Sequence, residues 1–147
     1  MARIESSLQV SKSVAEVYRF MNVPDNHARF IPNMQEFKQT SSGTFGQVGT
    51  KVRGLLNYFG ILKIEVPYEI IEVEPDHRLA MKGRMGPVQF KDGYILDPAE
   101  KGTRINFWLE LNPTGWSVLL KPFAGLIGRI HARETLANLK RELNGNQ

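Results

Sequence analysis

The sequence has no cysteine and only three histidines among its 147 residues. Without cysteine the chain can form no disulfide, no thiolate nucleophile and no cysteine-ligated metal site. The histidines, His27, His77 and His131, are far apart, and none stands in a metal-binding spacing such as H-E-x-x-H. We therefore expect no bound metal.

Long apolar runs and blocks of like charge are missing as well. No stretch approaches the roughly 18 apolar residues of a transmembrane helix. The opening MARIESSLQV lacks the basic and apolar regions of a secretory signal, so we expect a cytoplasmic protein. The net charge of +4 comes from scattered lysine and arginine, without the interleaved aromatic residues of a strip that binds nucleic acid. We expect no nucleic-acid partner.

Motifs of nucleotide-binding proteins and serine hydrolases are also absent. The glycine-rich stretch GTFGQVG, residues 43–49, lacks the G-K-[ST] ending of a phosphate-binding loop, and no G-x-S-x-G occurs. We therefore expect no cofactor.

The sequence does contain a regular series of alternating apolar and polar residues, at a length that suits one domain, 1–147. Residues 3–10 alternate as in a half-buried strand. Six further runs predict a sheet of seven strands, which we expect to pair antiparallel: about 33–41, 47–59, 61–74, 78–85, 87–97 and 102–112. The apolar positions change phase between Ile70 and Ile71, which indicates a bulge and a curved sheet.

Two short helices are predicted after the first strand. Ser13 and Glu16 have the spacing of a capping box, which begins the first helix, and Pro24 ends it. The segment PDNHARFIP, residues 24–32, forms the second helix between two prolines.

The last helix, from about residue 115 to residue 143, carries large apolar side chains on one half of a face only. Its C-terminal half has a leucine stripe suited to packing on a sheet: Leu136, Leu139 and Leu143. The same face continues backward through small residues: Ala132, Gly128 and Gly125. Small side chains either leave a cavity beside the helix or bring its backbone close to the sheet. The sequence leaves both interpretations open.

The order of these elements resembles the START-like superfamily, which has the helix-grip fold and includes polyketide cyclases and birch-pollen-allergen-like ligand carriers. The segments that carry the resemblance span nearly the whole chain: IESSLQVSKSVAEVYRFM, NHARFIP, YEIIEVEPDHRLAMKG, GTRINFWLEL and ETLANLKREL. It implies an α+β fold in which a curved seven-stranded antiparallel sheet wraps around a long C-terminal helix. It also implies an apolar cavity between sheet and helix for a small hydrophobic molecule.

Within such a fold, ligand contacts would come from the inner face of the sheet and the small-residue half of the helix. The candidate ligand-binding residues are Tyr58, Tyr68, Met81, Phe90, Tyr94, Phe107, Gly125, Gly128 and Ala132. In such cavities a few polar groups orient a mostly apolar ligand.

Asp92 and His131 are the candidate catalytic residues. Asp92 alternates in phase with Phe90 and Tyr94, which would place its carboxyl group inside, where desolvation raises a pKa. Asp92-Gly93 is also a strong turn and bulge signal, and we expect a bulge that turns the carboxylate to solvent. His131 lies beside the small-residue face as a general base or hydrogen-bond anchor, although a lone histidine is more often a boundary residue.

A second apolar stripe runs along the opposite side of the last helix: Leu120, Phe123, Ile127 and Ile130. If uncovered, it implies a dimer or a contact with a membrane surface, as does Trp108, which alternation places outside the sheet. We expect instead that a kink at Pro122 turns the stripe inward.

These patterns favour a non-catalytic carrier or sensor of a small hydrophobic molecule, such as a lipid, polyketide or isoprenoid, because no complete catalytic constellation is present. One alternative is an enzyme of the polyketide cyclase or dehydrase kind, which would act on a bound aromatic or polyketide substrate. Another is an adaptor that works through the apolar helix stripe. The sequence leaves the oligomeric state open between monomer and homodimer.

Overall fold

The computed structural model describes residues 2–145; residues 1, 146 and 147 of the predicted domain lie outside the described residues. In chain order its elements are β1 (Ala2–Val10), α1 (Val14–Met21), α2 (Pro24–Phe30), β2 (Met34–Gln39), β3 (Lys51–Tyr58), β4 (Leu62–Glu74), β5 (Arg78–Met85), β6 (Val88–Ala99), β7 (Gly102–Pro113), a 3-10 helix (Gly115–Leu120) and α3 (Lys121–Gly145). The predicted α+β helix-grip fold is confirmed.

The seven strands form one sheet in the order β1-β7-β6-β5-β4-β3-β2, and every neighbouring pair is antiparallel. From β2 onward each strand pairs with the next one along the chain. The helices α1 and α2 interrupt this meander after β1, which pairs with β7 instead. The first and last strands therefore lie side by side, next to the long helix α3, which packs mainly on β1, β7 and α2.

The predicted capping box and bulge are both present. Ser13 Oγ accepts a hydrogen bond from the Glu16 amide at 3.2 Å, and Glu16 Oε1 accepts one from the Ser13 amide at 3.3 Å, which satisfies two amides at the start of α1. In β4 the register shifts between Ile70 and Glu72, so that Ile71 is the extra residue. An extra residue bends and twists its strand, in line with the curved sheet.

The C-terminal half of α3 fills the core as its leucine stripe predicts. Leu136, Leu139 and Leu143 are almost completely buried. Asn138 Nδ2 donates a hydrogen bond to the Phe30 carbonyl at 3.1 Å and so ties α3 to α2.

At Gly128 the helix backbone comes close to the sheet. A β-carbon at this position would lie 2.1 Å from Ile4 Cδ1 of β1 and 3.6 Å from Leu109 Cδ2 of β7. The structure thus matches the close-packing interpretation at Gly128. Gly125, one turn earlier, is partly exposed and would meet only the Arg129 side chain, at 3.5 Å.

The predicted inward rotation of the apolar stripe on α3 is wrong. Leu120, Phe123, Ile127 and Ile130 keep between 40% and 58% of their surface exposed. The α-helix begins only at Lys121, and Pro122 stands in its first turn, where the missing amide costs no hydrogen bond and forces no kink. The face of the helix is therefore not rotated by the proline.

Candidate functional site

Asp92 lies in the middle of β6, on the inner face of the sheet. Its neighbours across the ladders are Met81 of β5 and Leu109 of β7, and both registers continue unbroken through Gly93. A bulge would interrupt them, so the predicted bulge at Asp92-Gly93 is wrong. The carboxyl group keeps its phase with Tyr94 and points into the fold.

The glycine that suggested a bulge serves another purpose. Gly93 faces the outer side of the sheet, where a β-carbon would lie 2.5 Å from Trp108 Nε1. The missing side chain lets the indole lie flat across β6, and the Arg3 guanidinium stacks 4.5 Å above its ring. Trp108 is on the outer face as expected, but it is only 9% exposed because of these contacts.

The Asp92 carboxyl group is buried without a complete set of partners. Only 7% of its surface is exposed, and Oδ1 has no hydrogen-bond partner in the described part of the chain. Burial disfavours the charged form and raises the pKa of Asp92 from 3.8 to about 7. The group is therefore divided between acid and carboxylate near neutral pH, and it can donate or accept a hydrogen bond.

Two tyrosines share the interior with Asp92. Tyr68 and Tyr94 are both buried, and the pKa of each hydroxyl is raised well above 10.0, first by burial and then by the charge of Asp92. At neutral pH both hydroxyls are therefore protonated. Two phenol donors and one titrating acid therefore lie together in this interior.

Aromatic rings make up much of the surface around these polar groups. The ring of Tyr94 lies 5.0 Å from that of Phe107, and the ring of Tyr68 lies 5.5 Å from that of Phe90. Gly83 stands between Tyr68 and Phe90 in the sheet register, and a β-carbon there would come within 2.6 Å of Phe90 Cζ. Without that side chain the two rings can meet across β5.

His131 also faces the interior, from α3. Its ring centroid lies 6.2 Å from that of Phe107, and burial lowers the pKa of the imidazole below 6.5. His131 is therefore neutral at pH 7. No hydrogen bond between His131 and Asp92 is present among residues 2–145, so the two candidates do not form a catalytic pair.

Apart from Gly125 and Gly128, the predicted ligand-contacting residues divide into two groups, and Tyr68, at 8% exposure, belongs with the buried ones. Met81, Tyr94, Phe107 and Ala132 are at most 1% exposed and belong to the packed core. Tyr58 and Phe90 are partly exposed on the inner face. Tyr58 and Phe90 are therefore the predicted ligand contacts on the inner face of the sheet that solvent can reach.

His27 is a buried histidine that the sequence interpretation placed in a short helix without a role. Its ring stacks on Phe37 at 4.7 Å, and Nε2 donates a hydrogen bond to the Met21 carbonyl at 2.6 Å. Burial lowers the pKa of His27 to about 4, so the ring is neutral in the fold. Its spacing from Phe30, three residues later on α2, was the available signal that it belongs to the core.

A groove of about 760 Å³ was also not predicted; outer-face residues make up most of its lining, together with four inner-face positions, Val52, Tyr68, Gly83 and Phe90. Charged residues of both signs line it: Lys51, Arg53, Glu65, Glu69, Lys82, Arg84, Lys91 and Glu110. Arg53 is paired with Glu65 at 2.7 Å. Mixed charges are usual on the solvated face of an antiparallel sheet, so we assign no site to this groove.

Within residues 2–145, no group of three metal-ligating side chains comes together, and no helix has the length and apolar character needed to cross a bilayer.

The chain matches the model of the family described as polyketide cyclase / dehydrase and lipid transport over residues 1–144. The chain belongs to this family. The resemblance expected from the sequence segments is thereby confirmed. No curated protein matches the chain.

Solved structures share this fold at low sequence identity. TTHA0849 from Thermus thermophilus is 14% identical, with a TM-score of 0.80 and 99% of both chains covered. CV1439 from Chromobacterium violaceum is 18% identical, with a TM-score of 0.71 and 96% of both chains covered. The di-domain ARO/CYC BexL from the BE-7585A biosynthetic pathway is 17% identical, with a TM-score of 0.80; the match covers 98% of this chain and 47% of that one. At these identities the similarity shows the fold alone.

Proposed function

We propose that the protein binds a small, mainly apolar molecule on the inner face of the sheet, with Asp92 as its polar contact. The observation that carries this proposal is the buried carboxyl group whose Oδ1 has no hydrogen-bond partner among residues 2–145, and whose charge raises the pKa values of the buried Tyr68 and Tyr94. Membership of a family described by cyclase, dehydrase and lipid-transport functions supports it. A lipid, a polyketide or an isoprenoid has the required chemistry.

A polar group left unpaired in the interior costs on the order of 1–3 kcal/mol, which a fold without function gains nothing by retaining. A ligand hydroxyl can donate to the Asp92 carboxylate, and a ligand carbonyl can accept from its protonated form. The aromatic rings nearby supply apolar contact area. This combination of an apolar surface with few polar groups is typical of small-molecule sites.

Binding of named probes to two aspartate variants tests the proposal. Farnesol, naringenin and palmitate serve as isoprenoid, aromatic and lipid probes, with binding measured by native mass spectrometry and thermal shift. Asp92→Asn should weaken the best probe at least tenfold. Asp97→Asn changes an outward-facing aspartate of the same strand and should leave binding unchanged. Failure of all three probes to bind, or equal losses in both variants, would contradict the proposal.

A second candidate function is proton transfer to or from a bound polyketide, as in a cyclase or dehydrase. It is favoured by the pKa of Asp92, about 7, because a group that titrates near the working pH is efficient as both acid and base. The same variants test it on a synthetic poly-β-ketone. Turnover that follows one titration near pH 7 and is lost in Asp92→Asn would favour the enzyme, and binding without turnover would favour the carrier.

A further inference from the structure

A continuous stretch of large apolar side chains is exposed on the 3-10 helix and the first half of α3. We call it the helical apolar surface, formed by Trp116, Leu119, Phe123, Leu126, Ile127 and Ile130. These side chains are between 47% and 79% exposed. Single exposed apolar residues are ordinary, but a cluster of this size marks a surface that is covered in use.

The hairpin between β3 and β4 carries a second cluster. Phe59 is 94% exposed, Ile61 is 86% exposed, and Leu62 at the start of β4 is also exposed. Phe59 has a φ of 59°, in the left-handed region that a bulky residue seldom adopts. We call these three residues the hairpin apolar tip.

Sheet register places both clusters at the same end of the strands. Tyr58 pairs with Leu62 beside the hairpin tip, and Val88 pairs both with Met85 and with Pro113, the last residue of β7. Since neighbouring strands are antiparallel, the β3–β4 hairpin, the β5–β6 turn and the end of β7 all lie at this end of the sheet, which we call the hairpin end. The 3-10 helix begins two residues after Pro113, so the helical apolar surface also starts at the hairpin end.

Within the two segments that carry the clusters, residues 111–133 and 37–64, all charged side chains are basic. No acidic residue occurs between Glu110 and Glu134, whereas this segment contains Lys121, Arg129 and Arg133. Likewise no acidic residue occurs between Glu36 and Glu65, and Lys63 follows the hairpin apolar tip directly. Apolar and aromatic side chains with basic neighbours are what a helix lying on an anionic membrane surface presents.

A second copy of the chain is a poorer occupant of this surface. In a twofold dimer the same patch faces itself, so residues 111–133, whose charged side chains are all basic, would face the same segment of the second copy. Anionic phospholipid headgroups neutralise these cations instead.

We infer that this end of the molecule docks on an anionic lipid bilayer, through the helical apolar surface and the hairpin apolar tip, with the flanking lysine and arginine side chains on lipid phosphates. The inference goes beyond ligand binding and does not require it, because Asp92 lies on the inner face of the sheet and has no part in the contact. An apolar ligand held in a bilayer would then be close to the protein.

Vesicle binding tests the inference directly. The full chain should co-sediment with vesicles of phosphatidylcholine and phosphatidylglycerol in a 3:1 ratio, at least tenfold more tightly than with phosphatidylcholine alone. Trp116 is 68% exposed and Trp108 only 9%, so tryptophan emission should shift to shorter wavelength on binding. Trp116→Phe should remove most of that shift and leave co-sedimentation nearly intact.

Charge-introducing variants locate the contact. Leu119→Asp with Phe123→Asp, and separately Ile61→Asp, should each weaken vesicle binding at least tenfold. Val48→Asp is the matched control, because Val48 is 64% exposed but lies in the loop between β2 and β3, at the opposite end of the strands from the hairpin end. Far-ultraviolet circular dichroism confirms that each variant is folded.

Three results would overturn the inference. One is the absence of binding to the anionic vesicles, and another is an equal loss of binding in Val48→Asp. The third is a dimer in light scattering that Leu119→Asp with Phe123→Asp dissociates, because the surface would then be covered by a second copy. Each of these results leaves probe binding by Asp92 untouched, so the two proposals fail separately.

Discussion

At position 92 the fold keeps an acid where its charge is disfavoured. The pKa of Asp92 is about 7 in the folded chain against 3.8 for an unperturbed aspartate, because burial removes water from the carboxylate. Above pH 7 the folded chain must therefore hold a buried charge that the unfolded chain exposes to water. With 1.36 kcal/mol for each pKa unit, the charged form costs about 4 kcal/mol of stability.

The sign of the resulting pH dependence follows from proton counts. Between pH 3.8 and about 7 the folded state binds more protons at Asp92 than the unfolded state, so this residue makes the protein less stable as pH rises. We predict that the difference in unfolding free energy between Asp92→Asn and the wild type changes by about 3 kcal/mol from pH 5 to pH 8.5, in favour of the variant at the higher pH. Urea denaturation at both pH values measures the difference.

The histidines do not disturb that comparison. Burial lowers the pKa of His27 to about 4 and lowers that of His131. Both histidines therefore make the protein less stable as pH falls below 6.5, whereas Asp92 makes it less stable as pH rises. Both are present in wild type and variant and cancel in the difference. A pH-independent difference would mean that Asp92 is charged in the fold with an ordinary pKa.

At the scale of elements, the contact between α3 and β1 depends on the absence of a side chain at Gly128. A leucine there would overlap Ile4 and cost typically about 1–3 kcal/mol through overpacking. An alanine would gain up to about 1 kcal/mol in helix propensity but must displace Ile4 Cδ1, 2.1 Å from the new β-carbon.

A double-mutant cycle separates these terms. Ile4→Val removes Cδ1, and the next atom of that side chain, Cγ1, lies 3.4 Å from the position of the new β-carbon. We predict that Gly128→Ala is more favourable in the Ile4→Val background than in the wild type, with a coupling of about 0.5–3 kcal/mol, the range found for residues in contact. Denaturation midpoints of the four proteins measure it. Additive effects would show that the helix and strand are not in contact at this point.

The sequence predicted the elements well where the signal was local. Alternation located the seven strands, Ser13 and Glu16 located a helix start, and a phase change located the bulge at Ile71. Each of these signals depends on residues close in the chain, whose spacing decides which face they share.

The sequence predictions were wrong where the conformation or exposure of a residue depends on contacts with residues distant in the chain. Gly93 suggested a bulge, but it accommodates Trp108, a neighbour across the ladder that is distant in the chain. The exposure of the stripe on α3 depends on which elements reach it, and no spacing within the helix reports that. Of the site, the positions of Asp92 and Tyr94 on one face were predictable, whereas the burial that shifts their pKa values was not.

At the scale of the whole molecule, the two halves of α3 differ in how they are held. The second half is buried through the leucine stripe, with Leu136 at 1% and Leu139 at 0% exposure, whereas Phe123 is 58% exposed in the first half. Local opening is easier where little apolar surface is buried. The end of the molecule that carries the exposed clusters is therefore also the end with the weaker contacts.

Hydrogen exchange measured by mass spectrometry over the whole chain tests this gradient. In the free protein, residues 115–130 should exchange faster than residues 132–143, because opening the first half of α3 exposes little new apolar surface. Added vesicles of phosphatidylcholine and phosphatidylglycerol should slow exchange in 115–130 and 59–63 and leave β6, 88–99, unchanged. If 115–130 already exchanged as slowly as 132–143 without vesicles, the exposed face of α3 would be covered in solution by another protein surface. If the vesicles instead slowed exchange evenly over the whole chain, they would stabilise the fold as a whole and would not contact the hairpin end of the sheet, which carries both apolar clusters.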